Sequence, residues 1–480
     1  MRVVQRKKLL IPLFGVIIFT MIFQFYLSYI RSFQTNVFET KPVLGFNNDS
    51  LEFTLNSDSY YFFYNIIGVG VSSKGPVKQF CLNSRCIIPL VIGGKFSIKL
   101  FYKKRIVFNE EFYNPNLSIN CSDEPWTNRI CSFRDICYKN DKFFVTSPYS
   151  LIFEKNMLCL GSKTPPVDLE VNRMIDRFDV QKEFPKMLPV ISYNSHLVSI
   201  YYNIHMLWHH FFDFLLPLYQ TITLEGSLDM NKLIYFMGFV DKAPEFTSSL
   251  TKHKVGYLRS SLCFRKLTMG MVKITDLSQD KDDPPYKFCV NCSSGLRLAI
   301  MNNLGITEKF NDEPPTAILL CRDSNIRFLT NPKETAKAIS QFLPNLSVSI
   351  QFFERTPLKN QVELLSKASI FISVHGSGLA NLLWMHHGSV VIEIMPDQFI
   401  CRDWYKKAAN AAGVHYFAYM ADGINEKPKY QSEKLKNCLK MANRCVVTEC
   451  IDSIRDQNVT IDPSKFVREV KNYLKTIGKL

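Results

Sequence analysis

The sequence predicts an α/β protein whose final third forms a Rossmann-like parallel sheet. Three observations predict this fold: short apolar strands alternate with helical segments after residue 315, a helix-start signal precedes the first of those helices, and a glycine-rich turn follows the third strand. The chain has 480 residues, several times the ~100 to 200 of one domain, so two or three packed units are expected. With 46% hydrophobic and 21% charged residues, it is not a disordered, collagen-like or low-complexity chain.

The alternation begins with an apolar strand over 316–320. The run Asn331-Pro332-Lys333-Glu334 supplies an N-cap, a proline at the first helical position and a glutamate three residues after the cap, which predicts a helix from Pro332 to about Phe342. The elements predicted next are a strand over 347–353, a helix over 358–368, a strand over 369–374, a helix over 378–385 and a strand over 389–395. Parallel sheets of this kind bind ligands at the carboxyl ends of their strands.

The N-terminal segment predicts a membrane anchor. Residues 9–30 form an uncharged apolar run of 22 residues, which matches the ~20 residues that a helix needs to cross a bilayer. Four basic residues precede the run, so the positive-inside rule places the tail 1–8 in the cytosol and the rest in the lumen. A cleaved signal peptide is the alternative, but its apolar region is ~7 to 15 residues long and ends at small residues. We therefore predict an uncleaved signal anchor of type II orientation.

Residues 31–115 are predicted to form a stem followed by a small β-rich unit. Between residues 51 and 112, short runs of Phe, Tyr, Val and Ile are separated by glycines, which is the pattern of strands and turns. From 116 to 300 the signals are mixed: a helix is predicted over 208–221 and strands over 232–240 and 264–274. The topology of that region stays open.

The cysteines and the glycosylation sequons fit a lumenal protein. Fourteen cysteines suit an oxidising compartment, and disulfide bonds are expected there. We predict one local cluster of Cys121, Cys131, Cys137 and Cys159 and a second of Cys438, Cys445 and Cys450, with the connectivity left open. Six Asn-x-Ser/Thr sequons occur, at Asn48, Asn116, Asn120, Asn291, Asn345 and Asn458.

A glycine-rich turn in the last third predicts an anion site. His375-Gly376-Ser377-Gly378 stands where an apolar strand ends and a helix begins, and Asn381 follows it. The glycines permit close approach of a ligand, and free amides at the helix start suit a diphosphate. Glu393 ends the next strand, where its carboxylate could accept hydrogen bonds from ribose hydroxyls. The alternative is a tight strand-to-helix turn without a ligand.

Basic side chains follow the first strand of the same region. Arg322 and Arg327 lie in a loop that leaves the carboxyl end of that strand, and guanidinium groups suit phosphate. An exposed arginine paired with Asp323 is the alternative. The net charge of +15 also favours an anionic partner, but no basic arm of the kind that binds nucleic acid is present.

A histidine-rich segment is the candidate for proton transfer. His209, His210 and Asp213 are spaced so that they share one face of a helix, and a base oriented by an acid could deprotonate a sugar or side-chain hydroxyl. The alternative is a pair of core histidines. Zinc is disfavoured because no third ligand follows, and Asp280-Lys281-Asp282 lies in a polar loop, unlike the Asp-x-Asp of metal-dependent sugar transferases. No Gly-x-Ser-x-Gly motif supports a serine hydrolase.

Several of these motifs together resemble glycosyltransferase family 61. The likeness is carried by residues 353–361, 373–379 and 388–393, by Arg322, Arg327 and Asn331 in an Arg-x4-Arg-x3-Asn pattern, by Asn203 with 209–213 and Pro217, and by the cysteine segment 129–138 of the animal members. The resemblance implies a GT-B-like fold of two Rossmann-like lobes with a cleft between them. The lobes would be an acceptor lobe over 116–300 and a nucleotide-sugar lobe over 301–480.

The resemblance also implies an activity. It is the transfer of a sugar, GlcNAc or xylose, from a UDP-sugar to a hydroxyl of a glycoprotein or glycan, with inversion, without a metal and with no cofactor. His209, His210 and Asp213 would be catalytic, and Arg322, Arg327, Asn331, His375, Gly376, Ser377, Gly378, Asn381 and Glu393 would bind the donor. The expected location is the Golgi or endoplasmic reticulum membrane. A membrane-anchored glycan-binding pseudoenzyme without turnover is the alternative.

Overall fold

The structure is a computed structural model. It describes residues 45–480 except for 55–60, 154–159, 161–177, 200–205, 238–243, 273–292, 308–314, 422–432 and gaps of at most five residues elsewhere. The predicted anchor over 9–30 and the Asp280-Lys281-Asp282 loop lie outside the described residues. Within them, no helix combines the length and apolar character needed to cross a bilayer.

Strands and helices alternate mainly in the second half of the chain. The described residues form the strands β1 Gly45–Asn47, β2 Ser50–Thr54, β3 Tyr61–Gly68, β4 Val71–Ser73, β5 Val77–Phe80, β6 Arg85–Pro89, β7 Ile92–Tyr102, β8 Arg105–Asn114, β9 Ile119–Cys121, β10 Cys131–Lys139, β11 Lys142–Thr146, β12 Leu151–Phe153, β13 Phe178–Gln181, β14 Val190–Val198, β15 Leu233–Phe236, β16 Gly256–Tyr257, β17 Leu262–Met269, β18 Thr316–Cys321, β19 Ser347–Phe352, β20 Ile370–Val374, β21 Val390–Met395 and β22 His415–Met420.

The helices follow the strands in α/β alternation. They are α1 Leu207–His210, a π-helix Phe211–Leu215, α2 Leu216–Thr223, α3 Pro244–Ser248, α4 Ser294–Leu304, α5 Pro332–Phe342, α6 Leu358–Ser366, α7 Trp404–Ala412, α8 Glu433–Lys440, α9 Thr448–Arg455 and α10 Pro463–Thr476. Short 3₁₀ helices cover Phe353–Arg355 and Ser377–Trp384. The chain is thus a mixed α/β protein, as the sequence predicts.

The first compact unit is β-rich and extends further than the predicted β-rich segment. It comprises the described residues up to Cys159, Val167–Asn194 and Ser260–Met269. Strands fill most of 51–112, but β7 pairs in parallel with β9, so its sheet continues into the cysteine-containing segment. There β10 pairs with β17, which is 120 residues or more away in the chain. This long-range pairing is why the unit differs from the predicted boundary near residue 115.

Two disulfides fasten neighbouring strands of this unit. Cys121 bonds to Cys131 across β9 and β10, whereas Cys137 bonds to Cys263 across β10 and β17. The expected local cluster is therefore only partly correct, because Cys137 finds a partner 126 residues away. In the other compact unit, Cys401 bonds to Cys445 and Cys438 to Cys450.

The second compact unit holds the Rossmann-like sheet. It comprises Leu160–Pro166, Ser195–Arg259 and Gly270–Leu480. Five parallel strands lie in the order β19-β18-β20-β21-β22. Four of them and helices α5 and α6 lie where the sequence predicts them. The predicted helix over 378–385 is a 3₁₀ helix, and the fifth strand β22 was not predicted.

Alternating side chains of the sheet pack on two separate cores. Ile318, Leu320 and Phe371 face a core that contains α6, α7 and the segment from Trp208 to Ile222. Ala317, Leu319 and Ile372 face a second core formed with α5 and α10. Because the period-2 alternation of strands buries both faces, the sheet is covered on each side. Residues 195–259 share the first of these cores and therefore belong to this unit.

The two disulfides of the β-rich unit should differ in their contribution to stability. All four cysteines are buried, but one bond closes a loop of 126 residues and the other a loop of 10. Because loop-closure entropy grows with loop length, replacing Cys137 and Cys263 with alanine should lower the free energy of unfolding by about 5 kcal/mol, against about 3 kcal/mol for Cys121 and Cys131. Urea denaturation of both double variants measures this difference. An equal or reversed order would contradict the loop argument.

Candidate active site

A small cavity lies at the carboxyl ends of the parallel strands. Its volume is about 150 Å³. The cavity is lined at the strand ends by Arg322 and Ser373 and at the turn by Gly376, Ser377 and Gly378. Glu354 and Leu207 of helix α1 also line it. The structure therefore brings together Arg322, which follows β18, and the glycine turn, which follows β20. This is the edge where a parallel sheet binds ligands.

Arg322 places a positive charge in the wall of this cavity. Its Nη1 atom is buried and has no hydrogen-bond partner among the described residues. A Cβ atom built on Gly376 would lie 3.2 Å from that nitrogen, so the guanidinium packs directly against the glycine backbone. A buried donor left without a partner costs free energy, about 1 to 3 kcal/mol or more when charged. A bound anion is the partner that would remove this cost.

His375 and Glu393 form a buried pair beneath the turn. His375 Nδ1 lies 2.5 Å from Glu393 Oε1, and the hydroxyl of Tyr416 donates to Glu393 Oε2 at 2.5 Å. His375 is 2% exposed and Glu393 1%. Burial, and then the Glu393 carboxylate, raises the pKa of Tyr416, which keeps its hydroxyl protonated as a donor. Both Glu393 oxygens thus orient neighbouring side chains, and this arrangement does not present Glu393 to a ribose.

A tyrosine fixes the backbone of the glycine turn. The hydroxyl of Tyr405 donates to the carbonyl oxygen of Gly376 at 2.6 Å. The ring of Tyr405 packs edge-on against Trp208, with 5.0 Å between ring centroids, and Trp208 also stacks on Trp404 at 5.8 Å. This aromatic column joins helix α1 to the turn. Burial and the nearby Glu393 raise the pKa of Tyr405, so the hydroxyl remains a donor.

Two of the predicted donor-binding residues have structural roles inside the fold. Asn381 is fully buried: its amide donates to Gln361 Oε1 at 3.0 Å and accepts from Trp384 Nε1 at 3.1 Å. Asn331 donates to the carbonyl of Ile461 at 2.8 Å, and its oxygen accepts from the Ile461 amide. Both side chains hold chain segments together, and neither lines the cavity.

Arg327 lies in an ion-pair cluster that the sequence pattern does not reveal. Its Nε is 3.3 Å from Asp456 Oδ1, and Arg455 of helix α9 pairs with the same carboxylate at 2.9 Å. Burial, followed by the charge of Arg322, lowers the pKa of Arg327. The backbone of Arg327 adopts a positive φ of 56°, a conformation that residues other than glycine rarely adopt. Arg322 and Arg327 thus belong to one cationic region, and Arg455 extends it.

The histidine segment contains one paired histidine and one core histidine. His209 Nδ1 lies 2.5 Å from Asp213 Oδ2, one turn further along. Asp213 belongs to the π-helix Phe211–Leu215, which directly follows the helix that carries His209. Helices of this type are rare, and those that occur often lie at functional sites. His210 is 2% exposed and packs among Phe211, Phe214 and Phe246. This packing favours His209 over His210 as a group that meets a substrate.

Tyr405 and Tyr416 are the site residues that sequence reasoning missed. Both lie beyond the last predicted element, Tyr416 on β22 and Tyr405 on helix α7. A prediction of β22 would have placed a polar aromatic residue beside the strand that carries Glu393, since β21 and β22 pair in register. The described residues contain no group of three or more His, Cys, Asp or Glu side chains placed to hold a metal ion.

Comparison with known proteins matches this part of the chain to a family. Residues 207–392 match the family described as Glycosyltransferase 61. The resemblance seen in the motifs is therefore confirmed. The match includes the α1 segment, Arg322 and the glycine turn, and it ends one residue before Glu393.

Several curated relatives of this chain share one name. The chain is 26% identical over 303 residues to "Protein O-linked-mannose beta-1,4-N-acetylglucosaminyltransferase 2" of Xenopus laevis and 26% identical over 306 residues to the Homo sapiens protein of that name. Each alignment covers 58% of this chain and 51% of the relative. The Danio rerio protein is 24% identical over 301 residues. The chain spans about half the length of the curated relatives it matches.

The geometry of Asn331 predicts a structural effect of its substitution. Asn331→Ala removes both hydrogen bonds to Ile461, so the free energy of unfolding should fall by about 1 to 3 kcal/mol. Thr330→Ala is the matched control, because the Thr330 hydroxyl is exposed and its hydrogen bond to the Thr460 hydroxyl, at 2.7 Å, lies at the surface. Chemical denaturation measures both. A variant of Asn331 with unchanged stability would contradict this assignment.

Proposed function

We propose that this protein is a glycosyltransferase that moves a sugar from a UDP-sugar to a hydroxyl of a glycoprotein or glycan. The observation that carries the proposal is the buried, unpaired Nη1 of Arg322 beside the glycine turn. The names of the curated relatives make UDP-GlcNAc and an O-mannosylated peptide the first donor and acceptor to test. UDP-xylose is the second donor, since the family resemblance implies either sugar.

The departing diphosphate is the charge that the cavity has to stabilise. As the bond between the sugar C1 and the diphosphate oxygen breaks, negative charge accumulates on the diphosphate. Arg322 and the backbone amides around Gly376, Ser377 and Gly378 are suited to receive it, because oriented donors in a site with little water stabilise charge strongly. Cationic side chains in this role support a reaction that needs no metal.

His375 is assigned a role in orienting and polarising the turn. Its Nδ1 is held by Glu393, which fixes the ring and directs Nε2 away from the carboxylate. The hydrogen bond from Tyr416 holds Glu393 in turn. This chain of contacts supports a role for Glu393 in positioning His375, in place of the ribose contact expected from the sequence.

His209 and Asp213 are assigned to proton transfer. In a single displacement, the acceptor oxygen attacks C1 from the side opposite the diphosphate, which inverts the configuration at C1. The proton of the acceptor hydroxyl would pass to His209 Nε2, while Asp213 holds Nδ1 and stabilises the imidazolium. Leu207, two residues before His209, lines the cavity, which supports a location near the donor.

The proposed architecture is GT-B-like, with a smaller Rossmann-like part beside the five-stranded sheet. Support comes from β14, β15 and β16, which pair in parallel, with helices α1, α2 and α3 between them in the chain. We further propose a location in the Golgi or endoplasmic reticulum with the folded part lumenal. The four disulfides of the described residues support this location, because such bonds persist in oxidising compartments.

Substitution of Arg322 should separate ligand binding from folding. Arg322→Ala removes a buried unpaired donor, so the melting temperature of the free protein should stay the same or rise. The same change should weaken UDP binding by roughly 10- to 100-fold, the equivalent of about 1.5 to 3 kcal/mol for hydrogen bonds to a charged group. Thermal shift titrations with UDP measure both quantities.

Arg355 offers a matched control on the same sheet edge. Its side chain is 84% exposed and pairs with Asp323 on the surface. Arg355→Ala should leave the UDP-dependent shift unchanged. If Arg322→Ala binds UDP as tightly as the unaltered protein, the role of Arg322 in binding the diphosphate is wrong. If the unaltered protein shows no UDP-dependent shift of its melting temperature, the result favours a glycan-binding pseudoenzyme.

Substitution of Asp213 should affect turnover and spare donor binding. Asp213→Asn replaces the acceptor of the His209 hydrogen bond, so transfer from UDP-GlcNAc to an O-mannosylated peptide should slow by about 100-fold or more. The UDP-dependent thermal shift should be retained. Asp229→Asn is the control, because it makes the same chemical change in a loop. There the Asp229 carboxylate accepts a hydrogen bond from the backbone amide of Asn231. If Asp213→Asn transfers the sugar at the unaltered rate, His209 and Asp213 do not carry out the proton transfer.

A further inference from the structure

A second cavity lies at the opposite edge of the five-stranded sheet, at the amino ends of the strands. Its volume is about 400 Å³, within the range of small-molecule sites. The walls are mainly apolar and include Phe342, Leu346, Ile370 and Leu474. Phe342, which lines this cavity, is 45% exposed, so its aromatic ring meets water. The candidate active site at the carboxyl edge uses none of these residues.

A glycosylation sequon forms part of the wall. Asn345, Leu346 and Ser347 make an Asn-x-Ser motif, and Asn345 lines the cavity with its side chain exposed. The motif lies on a β-turn, since the Leu346 amide donates to the Leu343 carbonyl at 2.9 Å, with Pro344 and Asn345 at the central positions. Leu343 and Leu346 are buried and anchor the turn. The asparagine therefore stands on an anchored turn that forms part of the cavity wall.

We propose that Asn345 carries an N-linked glycan whose first N-acetylglucosamine covers this cavity. A pyranose ring has apolar C–H faces and the acetamido group adds a methyl, so the first sugar can cover apolar surface while the rest of the glycan remains in water. The negative face of the Phe342 ring, three residues before Asn345, attracts such C–H groups. The occupant is thus a covalently attached oligosaccharide, and no free ligand is needed.

The two other sequons with described side chains are poorly suited to modification. The Asn458 side-chain oxygen is buried, and the flanking Val459 exchanges backbone hydrogen bonds with Phe328 and Thr330. Asn120 lies on β9 between β7 and β10, and it precedes Cys121, which is disulfide-bonded. Both asparagines are only partly exposed and stand next to backbone hydrogen-bonded to other segments, whereas Asn345 is exposed on a turn. The structure therefore selects Asn345 among the three.

The inference requires entry into the secretory pathway and does not rest on transferase activity. The full chain is expressed in animal cells whose glycans stay in the oligomannose form, and the peptides that contain Asn345, Asn458 and Asn120 are analysed by mass spectrometry. Asn345 should be occupied and the other two should be unmodified. Ser347→Ala should remove the glycan, and Ser347→Thr should retain it. An unmodified Asn345, or a glycan on Asn458, would overturn the proposal.

Two glycosidases test whether the first sugar covers the cavity. Endoglycosidase H leaves that sugar on the asparagine, so the melting temperature should be unchanged. Peptide N-glycosidase F removes it, and the melting temperature should fall by roughly 2 to 4 °C. Asn345→Asp reproduces the charge that the second enzyme leaves and should melt with the fully deglycosylated protein. Equal melting temperatures after the two treatments would overturn the role of the sugar at the cavity, even if Asn345 is modified.

Discussion

The site depends on one constraint, the close packing of the Arg322 guanidinium against the backbone of Gly376. A Cβ atom on residue 376 would stand 3.2 Å from Nη1, so a larger residue would force the guanidinium to shift. The same packing buries that nitrogen without a partner among the described residues. An unsatisfied buried donor is uncommon in native structures, and this one lies at the carboxyl edge of a parallel sheet, where ligands bind. The proposed diphosphate would supply the missing acceptor and charge.

Three side-chain contacts stabilise the region around Arg322 and Gly376. Tyr405 holds the Gly376 carbonyl, Glu393 orients His375, and Asn381 braces the following 3₁₀ helix against Gln361. Trp208 packs on Tyr405, so the segment that carries His209 and Asp213 contacts the turn through aromatic rings. The proposed donor site and the candidate base are therefore parts of one packed core, so that a disturbance of either should affect the other.

Much of the fold followed from the sequence, because strands and helices with strong local signals kept their predicted places. The cap and proline at Asn331 and Pro332 marked the start of α5, and the apolar runs marked four parallel strands. The site was predicted less completely, because proximity in the chain does not reveal which side chains face a ligand. Asn331, Asn381 and Glu393 stand in motifs near the site yet bind other protein groups, whereas Tyr405 and Tyr416 reach it from outside any motif. The pairing of Cys137 with Cys263 depended on a strand order that local patterns do not encode.

The most direct test is a crystal structure of the protein with UDP bound. A diphosphate oxygen should lie about 2.7 to 3.2 Å from Arg322 Nη1, the normal range for a hydrogen bond, and a second oxygen should contact the backbone amide of Ser377 or Gly378. A nucleotide bound elsewhere, with Arg322 Nη1 still unpaired against Gly376, would contradict the account.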